Sequence, residues 1–237
     1  MFGDALRFPL AGDEGVKSVI IGGVLLFLSF LFIPVLPVYG YFVRAAKAGY
    51  EKTDEAPAFE EWGDLLVDGV KVLVVGIVYF LIPTIVLVAG FVVTGLGAVA
   101  SDPGAPPSAV ASGIGLVGGL LFLVTVLLYL VALYVYPAAI VSLSREGEIA
   151  AAFDFSTVLS AAFSADYFVA GVLAILLSLV VGVLTFVLAF LTLGLFLLLG
   201  VFVQFYVQVA FFYLFGRGYA KALGDDDRRS PNRAAVE

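Results

Sequence analysis

The sequence contains no cysteine and no histidine. Without cysteine the chain can form neither a disulfide bond nor a thiolate metal site. Without histidine it lacks the commonest general base of enzymes and the commonest ligand of transition metals. Charged residues are also scarce, at 13% of the 237 residues, against about 25% in an ordinary soluble domain. We therefore expect no catalytic residues, no cofactor, no metal site and no nucleic-acid partner.

The sequence is instead rich in apolar residues, which make up 62% of the chain and form long segments. Four intervals contain no charged residue, namely 18–43, 72–101, 103–144 and 167–216. A membrane-spanning helix needs about 20 apolar residues, so the last interval must fold back, and Gly194 suits the turn. The sequence predicts an all-α, polytopic integral membrane bundle of helical hairpins, with spans at about 72–97, 111–141, 168–191 and 195–216.

The first apolar segment, 18–43, has two interpretations because Pro34 and Pro37 lie near its middle. It forms either one kinked helix or a re-entrant hairpin. Basic residues accumulate in cytoplasmic loops, and only the hairpin places all 12 basic residues on one side, which favours it. This topology puts both termini in the cytoplasm, with one transmembrane domain over 1–223 and a disordered charged tail over 224–237.

Two segments that precede spans have the apolar periodicity of amphipathic helices. They cover about 58–70 and 153–165, and each is expected to lie on the cytoplasmic membrane surface before a hairpin of spans. Their predicted interfacial anchors are Phe59, Trp62, Leu66, Phe155, Leu159 and Phe163.

The first of these segments and a stretch that precedes it resemble a known family. The stretches Gly40-Tyr41-Phe42-Val43-Arg44 and Pro57-Ala58-Phe59-Glu60-Glu61-Trp62-Gly63-Asp64 resemble the archaeal membrane family labelled domain of unknown function 4013, as does Val67-Asp68-Gly69-Val70-Lys71. The resemblance is firmest over about 1–95. It implies an archaeal plasma membrane and brings no activity or catalytic residues. The net charge of −7 agrees with a halophilic cytoplasm, where excess surface carboxylate is common.

The last predicted span contains the most conspicuous polar residues, Gln204 and Gln208, with Tyr206 between them. A buried amide in lipid needs a hydrogen-bonding partner. The glutamines either line a solute path or form hydrogen bonds to neighbouring spans, and the second interpretation is favoured. Ser178 and Thr185 of the preceding span are candidate partners.

Two further patterns have a plain structural explanation. Gly115 and Gly119 have the spacing that lets membrane helices pack closely, which is favoured over a dinucleotide fingerprint because no strand precedes them. The carboxylates of Glu60, Glu61, Asp64 and Asp68 are suited to a divalent cation, but a solvated polar face is the simpler interpretation.

Two classes of function follow. The first is a non-enzymatic scaffold or partner-binding subunit in contact with the lipid bilayer, with a protein partner or a second copy of the chain. The alternative is a channel or transporter for an uncharged small solute or lipid. Transport usually leaves ionisable groups within the spans, and the charge-free intervals have none, which favours the scaffold.

Overall fold

The computed structural model describes residues 2–99 and 109–224. Every regular element in these ranges is helical, which confirms the all-α prediction. Short 3-10 helices occur at Phe8–Leu10, Leu28–Leu31 and Ile149–Phe153. The α-helices are α1 (Phe2–Arg7), α2 (Gly15–Phe27), α3 (Val35–Glu51), α4 (Trp62–Val99), α5 (Ala109–Glu146), α6 (Phe155–Ala162), α7 (Ala165–Leu191) and α8 (Leu197–Ala222).

The four longest helices are apolar enough to cross a membrane. The qualifying segments are Trp62–Gly97, Ser112–Glu146, Ala165–Leu191 and Leu197–Ala222. A fifth is counted if Phe2–Leu10 and Gly15–Leu31, which meet at a bend of 79°, are taken as one broken span. These helices confirm the polytopic architecture. The predicted tail, apart from Gly224, lies outside the described residues.

Helix α4 corrects the separate surface helix that the sequence predicts at 58–70. The helix begins at Trp62 and continues without a break to Val99. Residues 62–71 contain no proline, so the amphipathic turns continue directly into the apolar turns. A separate amphipathic helix does precede α7, because α6 ends at Ala162 and Ser164 caps the next helix through the Tyr167 amide.

The first apolar segment consists of two helices in the structure. Helix α2 and its 3-10 extension end at Phe32, which has a positive φ of 62°, and α3 begins after Pro34. Proline fixes its own φ and lacks an amide hydrogen, so it suits the start of a helix. The placement of this segment within the membrane stays a prediction.

The contacts group the chain into two compact units. Unit 1 comprises Met1–Val75 and Pro137–Glu237, and unit 2 comprises Gly76–Tyr136. Within unit 2, the parts of α4 and α5 that it contains are joined by a Phe80–Tyr129 ring contact and by a 2.9 Å hydrogen bond between the Thr84 and Tyr129 hydroxyl groups. The single transmembrane domain over 1–223 stays a prediction.

The core of unit 1 surrounds α8, whose carboxyl-terminal half is almost completely buried. Helices α2, α3 and α7 all pack against it. Glycines bring α3 and α8 into backbone contact: a Cβ on Gly49 would overlap the Tyr213 carbonyl, and one on Gly216 would overlap the Ala46 carbonyl. Such close approach maximises van der Waals packing between membrane helices.

Candidate functional sites

The predicted polar residues of α8 divide between two faces of the helix. Successive residues are rotated by about 100°, so Gln204 and Gln208 share one face and Tyr206 points away from them. The Tyr206 hydroxyl donates a hydrogen bond to the Leu6 carbonyl, which ties α8 to α1. The candidate polar site therefore consists of the two glutamines alone.

The two glutamines have no hydrogen-bonding partner within the chain as described. Gln204 is exposed and Gln208 is half-buried, and neither amide forms a hydrogen bond to another described residue. The suggested partner Ser178 instead donates to the carbonyl of Ala174 in its own helix, at 2.8 Å. The Thr185 methyl group packs beside Gly200. The intrachain hydrogen bonds suggested by the sequence are thus not formed.

An aromatic cluster occupies the interior of unit 1 beside this site. Phe205 is fully buried, and its ring centroid lies 5.2–6.0 Å from those of Tyr41, Phe42 and Phe59. The interior around Phe205 is therefore filled mainly by aromatic rings.

Phe59 belongs to this cluster and not to a lipid-facing stripe. Its side chain is only 6% exposed, and its ring stacks on Tyr41 with centroids 4.5 Å apart. The sequence places Phe59 on an interfacial helix, whereas the structure places it in the loop before α4. Arg44 holds this loop over α3, because its Nη1 donates to the carbonyls of Ala58 and Glu60.

The other predicted anchors lie on the surface. On α4, Trp62 and Leu66 are exposed, while Leu65 beside them is completely buried. On and just after α6, Phe155, Leu159 and Phe163 are also exposed, and the opposite face of the helix is buried through Val158, Ala161 and Ala162. Insertion of the exposed side chains into a membrane interface stays a prediction.

Charged side chains line a second candidate site, a groove of about 360 Å³ in unit 1. It lies among α3, the first turns of α4 and the last turns of α5. We call it the charged groove. Its lining residues are Val43, Arg44, Lys47, Glu61, Asp64, Val67, Asp68, Lys71, Leu143, Ser144 and Gly147.

Two cations of the charged groove are held in fixed positions. Arg44 pairs with Glu61 at 3.3 Å in addition to its two carbonyl contacts. Lys71 pairs with Asp68 at 2.7 Å and donates to the Gly147 carbonyl at 3.0 Å. A cation at this position is favourable because the carboxyl end of α5 carries partial negative charge. These backbone contacts depend on long-range packing and could not be predicted from the sequence.

The acidic residues of this region include the carboxylates that the sequence offers for a divalent cation. Among the residues that the structure describes, no group of three or more acidic side chains could hold a metal ion. Glu61 and Asp68 face basic partners instead.

The glycines of α5 are used differently from the prediction. Gly118, and not Gly115 or Gly119, meets α4, where a Cβ would overlap the Thr94 methyl group. Apart from the backbone of α5 itself, no atom of the described residues lies within 4 Å of a Cβ placed on Gly115 or Gly119. Both instead line an apolar groove of about 350 Å³ within unit 2, together with Gly90 and Phe122. The spacing of the motif does not determine which face of the helix meets its neighbour.

Four helices that are long and apolar enough to cross a membrane define the chain as a polytopic α-helical membrane protein. The chain belongs to the family described as protein of unknown function (DUF4013), whose model matches residues 23–190. This match extends well past the region in which the sequence resemblance is firmest. No match was found among curated proteins or among solved structures.

Proposed function

We propose that this chain is a non-enzymatic scaffold or partner-binding subunit of a membrane complex. The observation that carries the proposal is the exposed amide of Gln204 in a membrane-spanning helix. An amide without a partner costs several kcal/mol in hydrocarbon. A polar group on a helix of another protein, or of a second copy of this chain, would satisfy it.

Two further features support a binding role over transport. The side chains beside Gln204 in the interior of unit 1 are the rings around Phe205, and neither groove described above is lined by a glutamine. The charge-free intervals also lack the ionisable groups that usually mark ion and proton pathways. A subunit that acts by binding a partner protein needs neither a water-filled pathway nor a buried charge.

We also propose that the protein resides in the plasma membrane of a halophilic archaeon, with both termini in the cytoplasm. The basic residues support this orientation, since the turn between α7 and α8 contains none while the segments around Arg44 and Arg217 contain several. The net charge of −7 supports a cytoplasm of high salt, where acidic surfaces are common.

The role of Gln204 can be tested by purification of the full chain in mild detergent at high salt. We expect Gln204→Leu to remain folded and monodisperse, because leucine is well suited to a lipid-facing position. It should lose a partner that co-purifies with the wild type by about threefold or more, as one interhelical hydrogen bond contributes ~0.6–2 kcal/mol. Gln204→Asn, which retains an amide, should lose less. Equal recovery of every partner with the leucine variant would contradict the proposal.

A further inference from the structure

The charged groove lies at the boundary between charged and apolar sequence. Lys71 is the last charged residue before the interval 72–101, and Arg44 is the first after the interval 18–43. One part of the groove is apolar, through Val43, Val67 and Leu143. In a membrane-spanning chain this boundary coincides with the headgroup layer of the bilayer.

The cations of the groove retain unused hydrogen-bond donors. A guanidinium group has five N–H donors and an ammonium group has three. Arg44 uses its Nη1 for two carbonyls and one Nη2 hydrogen for Glu61, and Lys71 uses two of its three hydrogens. The remaining N–H groups have no acceptor among the described residues. Both cations are already held in position, so little side-chain entropy is lost when they bind an anion.

One charge of each sign in the groove has no partner. Glu61 and Asp68 are neutralised by Arg44 and Lys71. Lys47 and the carboxylate of Asp64 are exposed and form no ion pair with any described residue. The groove therefore presents a free cation for an anion and a free acceptor for a hydrogen-bond donor.

We infer that the charged groove binds the phosphate of a phospholipid headgroup through Lys47 and Arg44. Asp64 accepts a hydrogen bond from the rest of the headgroup. Ethanolamine and glycerol headgroups carry N–H or O–H donors for this carboxylate, whereas choline carries none. The site thus prefers ethanolamine or glycerol phospholipids over choline phospholipids. This inference does not depend on the proposed partner at Gln204.

Native mass spectrometry of the delipidated full chain in detergent tests the inference. Phosphatidylethanolamine, phosphatidylglycerol and phosphatidylcholine are titrated separately, and inorganic phosphate is then added as a competitor. We expect Lys47→Gln to lower the affinity for all three lipids about fivefold, as expected for one basic residue at a membrane surface. The control Lys17→Gln removes the same charge outside the groove, from a side chain that is 60% exposed, and should leave binding unchanged.

Asp64→Asn separates recognition of the headgroup from recognition of the phosphate. We expect this variant to retain phosphatidylcholine binding and to lose the preference for phosphatidylethanolamine, because an amide is a weaker acceptor for an ammonium group. An unchanged preference would overturn the role of Asp64. Equal losses in the Lys47 and Lys17 variants would overturn the site itself. Full displacement of lipid by millimolar inorganic phosphate would assign the groove to soluble phosphate instead of lipid.

Discussion

Lys71 illustrates how a single cation stabilises the junction of two helices. Its ammonium group contacts Asp68 in its own helix and the Gly147 carbonyl beyond the end of α5. Three residues of unit 1 are thereby joined through one side chain that is about one quarter exposed. Because one ammonium group makes both contacts, loss of the charge removes the partner of Asp68 and that of the Gly147 carbonyl together.

We expect Lys71→Met to lower the free energy of unfolding by about 1–2 kcal/mol, since hydrogen bonds to charged groups contribute about 1.5–3 kcal/mol and this one is partly solvated. Methionine keeps the apolar stem and removes the charge. Thermal unfolding in lipid-free detergent, followed by Trp62 fluorescence, measures the effect. Lys17→Met, at an exposed ion pair, should change little, and equal stabilities of the two variants would contradict the account.

Phe59 shows what the spacing of apolar residues cannot predict. The spacing of Phe59, Trp62 and Leu66 correctly indicates a helix from Trp62 onward, but the pattern cannot show that the helix starts after Phe59. It also cannot show which apolar residues face protein and which face lipid, because both environments favour the same side chains. Leu65 and Leu66 are an example, because the first is buried and the second exposed although both are leucine. Phe59 is buried against Tyr41 and Phe205, and Arg44 holds its loop through the carbonyls on either side.

At the level of elements, close contact between α3 and its neighbours depends on glycine. Gly40 and Gly69 bring α3 and α4 together, because a Cβ on Gly40 would overlap the Leu65 carbonyl. Gly49 and Gly216 do the same for α3 and α8. Helix α3 is therefore in backbone contact with two helices. The small residues Ala45 and Gly49 are four apart in the sequence, and this spacing could have identified the packing face of α3.

We expect Gly49→Ala to destabilise the protein by about 1–3 kcal/mol, because the added methyl group would meet backbone atoms that cannot rotate away. Gly115→Ala is the matched control. Its Cβ has no neighbour within 4 Å, so its stability should equal that of the wild type or exceed it slightly. Thermal unfolding of the two variants in detergent distinguishes them. A loss of stability in the Gly115 variant alone would reverse the assignment of the packing glycines.

The start of α6 depends on one carboxylate. Asp154 accepts hydrogen bonds from the amides and hydroxyl groups of Ser156 and Thr157, and these bonds lower its pKa to about 2. Because this pKa lies below the value in the unfolded chain, the ionised carboxylate stabilises the folded state fully above about pH 4. This contribution is lost as the pH falls through about 2. We expect Asp154→Ala to increase amide exchange over 155–162 about fivefold at neutral pH.

Hydrogen exchange followed by mass spectrometry measures this change. Asp154→Asn should restore much of the protection, because asparagine is also a good N-cap, and its residual protection should not vary between pH 2 and 4. Unchanged exchange in the alanine variant would show that the packing of Val158 and Ala162 holds α6 without the cap.

Much of the helix inventory could be predicted from sequence. The charge-free intervals located all four long helices, and Pro34 marked the break between α2 and α3. The join between the amphipathic part of α4 and its apolar part could not be predicted, because both parts have helical periodicity and no breaker separates them. The rotation of α5 could not be predicted either, since Gly115, Gly118 and Gly119 offer alternative packing faces.

For the whole molecule, the basic residues predict the orientation in the membrane. The absence of native cysteine allows single-cysteine labelling without background. We expect Asp13→Cys, an exposed position before α2, to resist an impermeant maleimide in intact cells and to react after lysis. Leu193→Cys, at a position 97% exposed in the turn before α8, should react from outside. Labelling of position 13 from outside would require a single first span.

The central claim is that the face of α8 bearing Gln204 contacts a protein partner in the membrane. A photo-crosslinking amino acid at position 204 tests it directly in native membranes. Leu199, which is 59% exposed in the same helix, provides the matched lipid-facing control. We expect position 204 to form a discrete crosslink to another protein or to a second copy of the chain, and position 199 to crosslink mainly to lipid. Crosslinks from position 204 only to lipid, or only within its own chain, would contradict the claim.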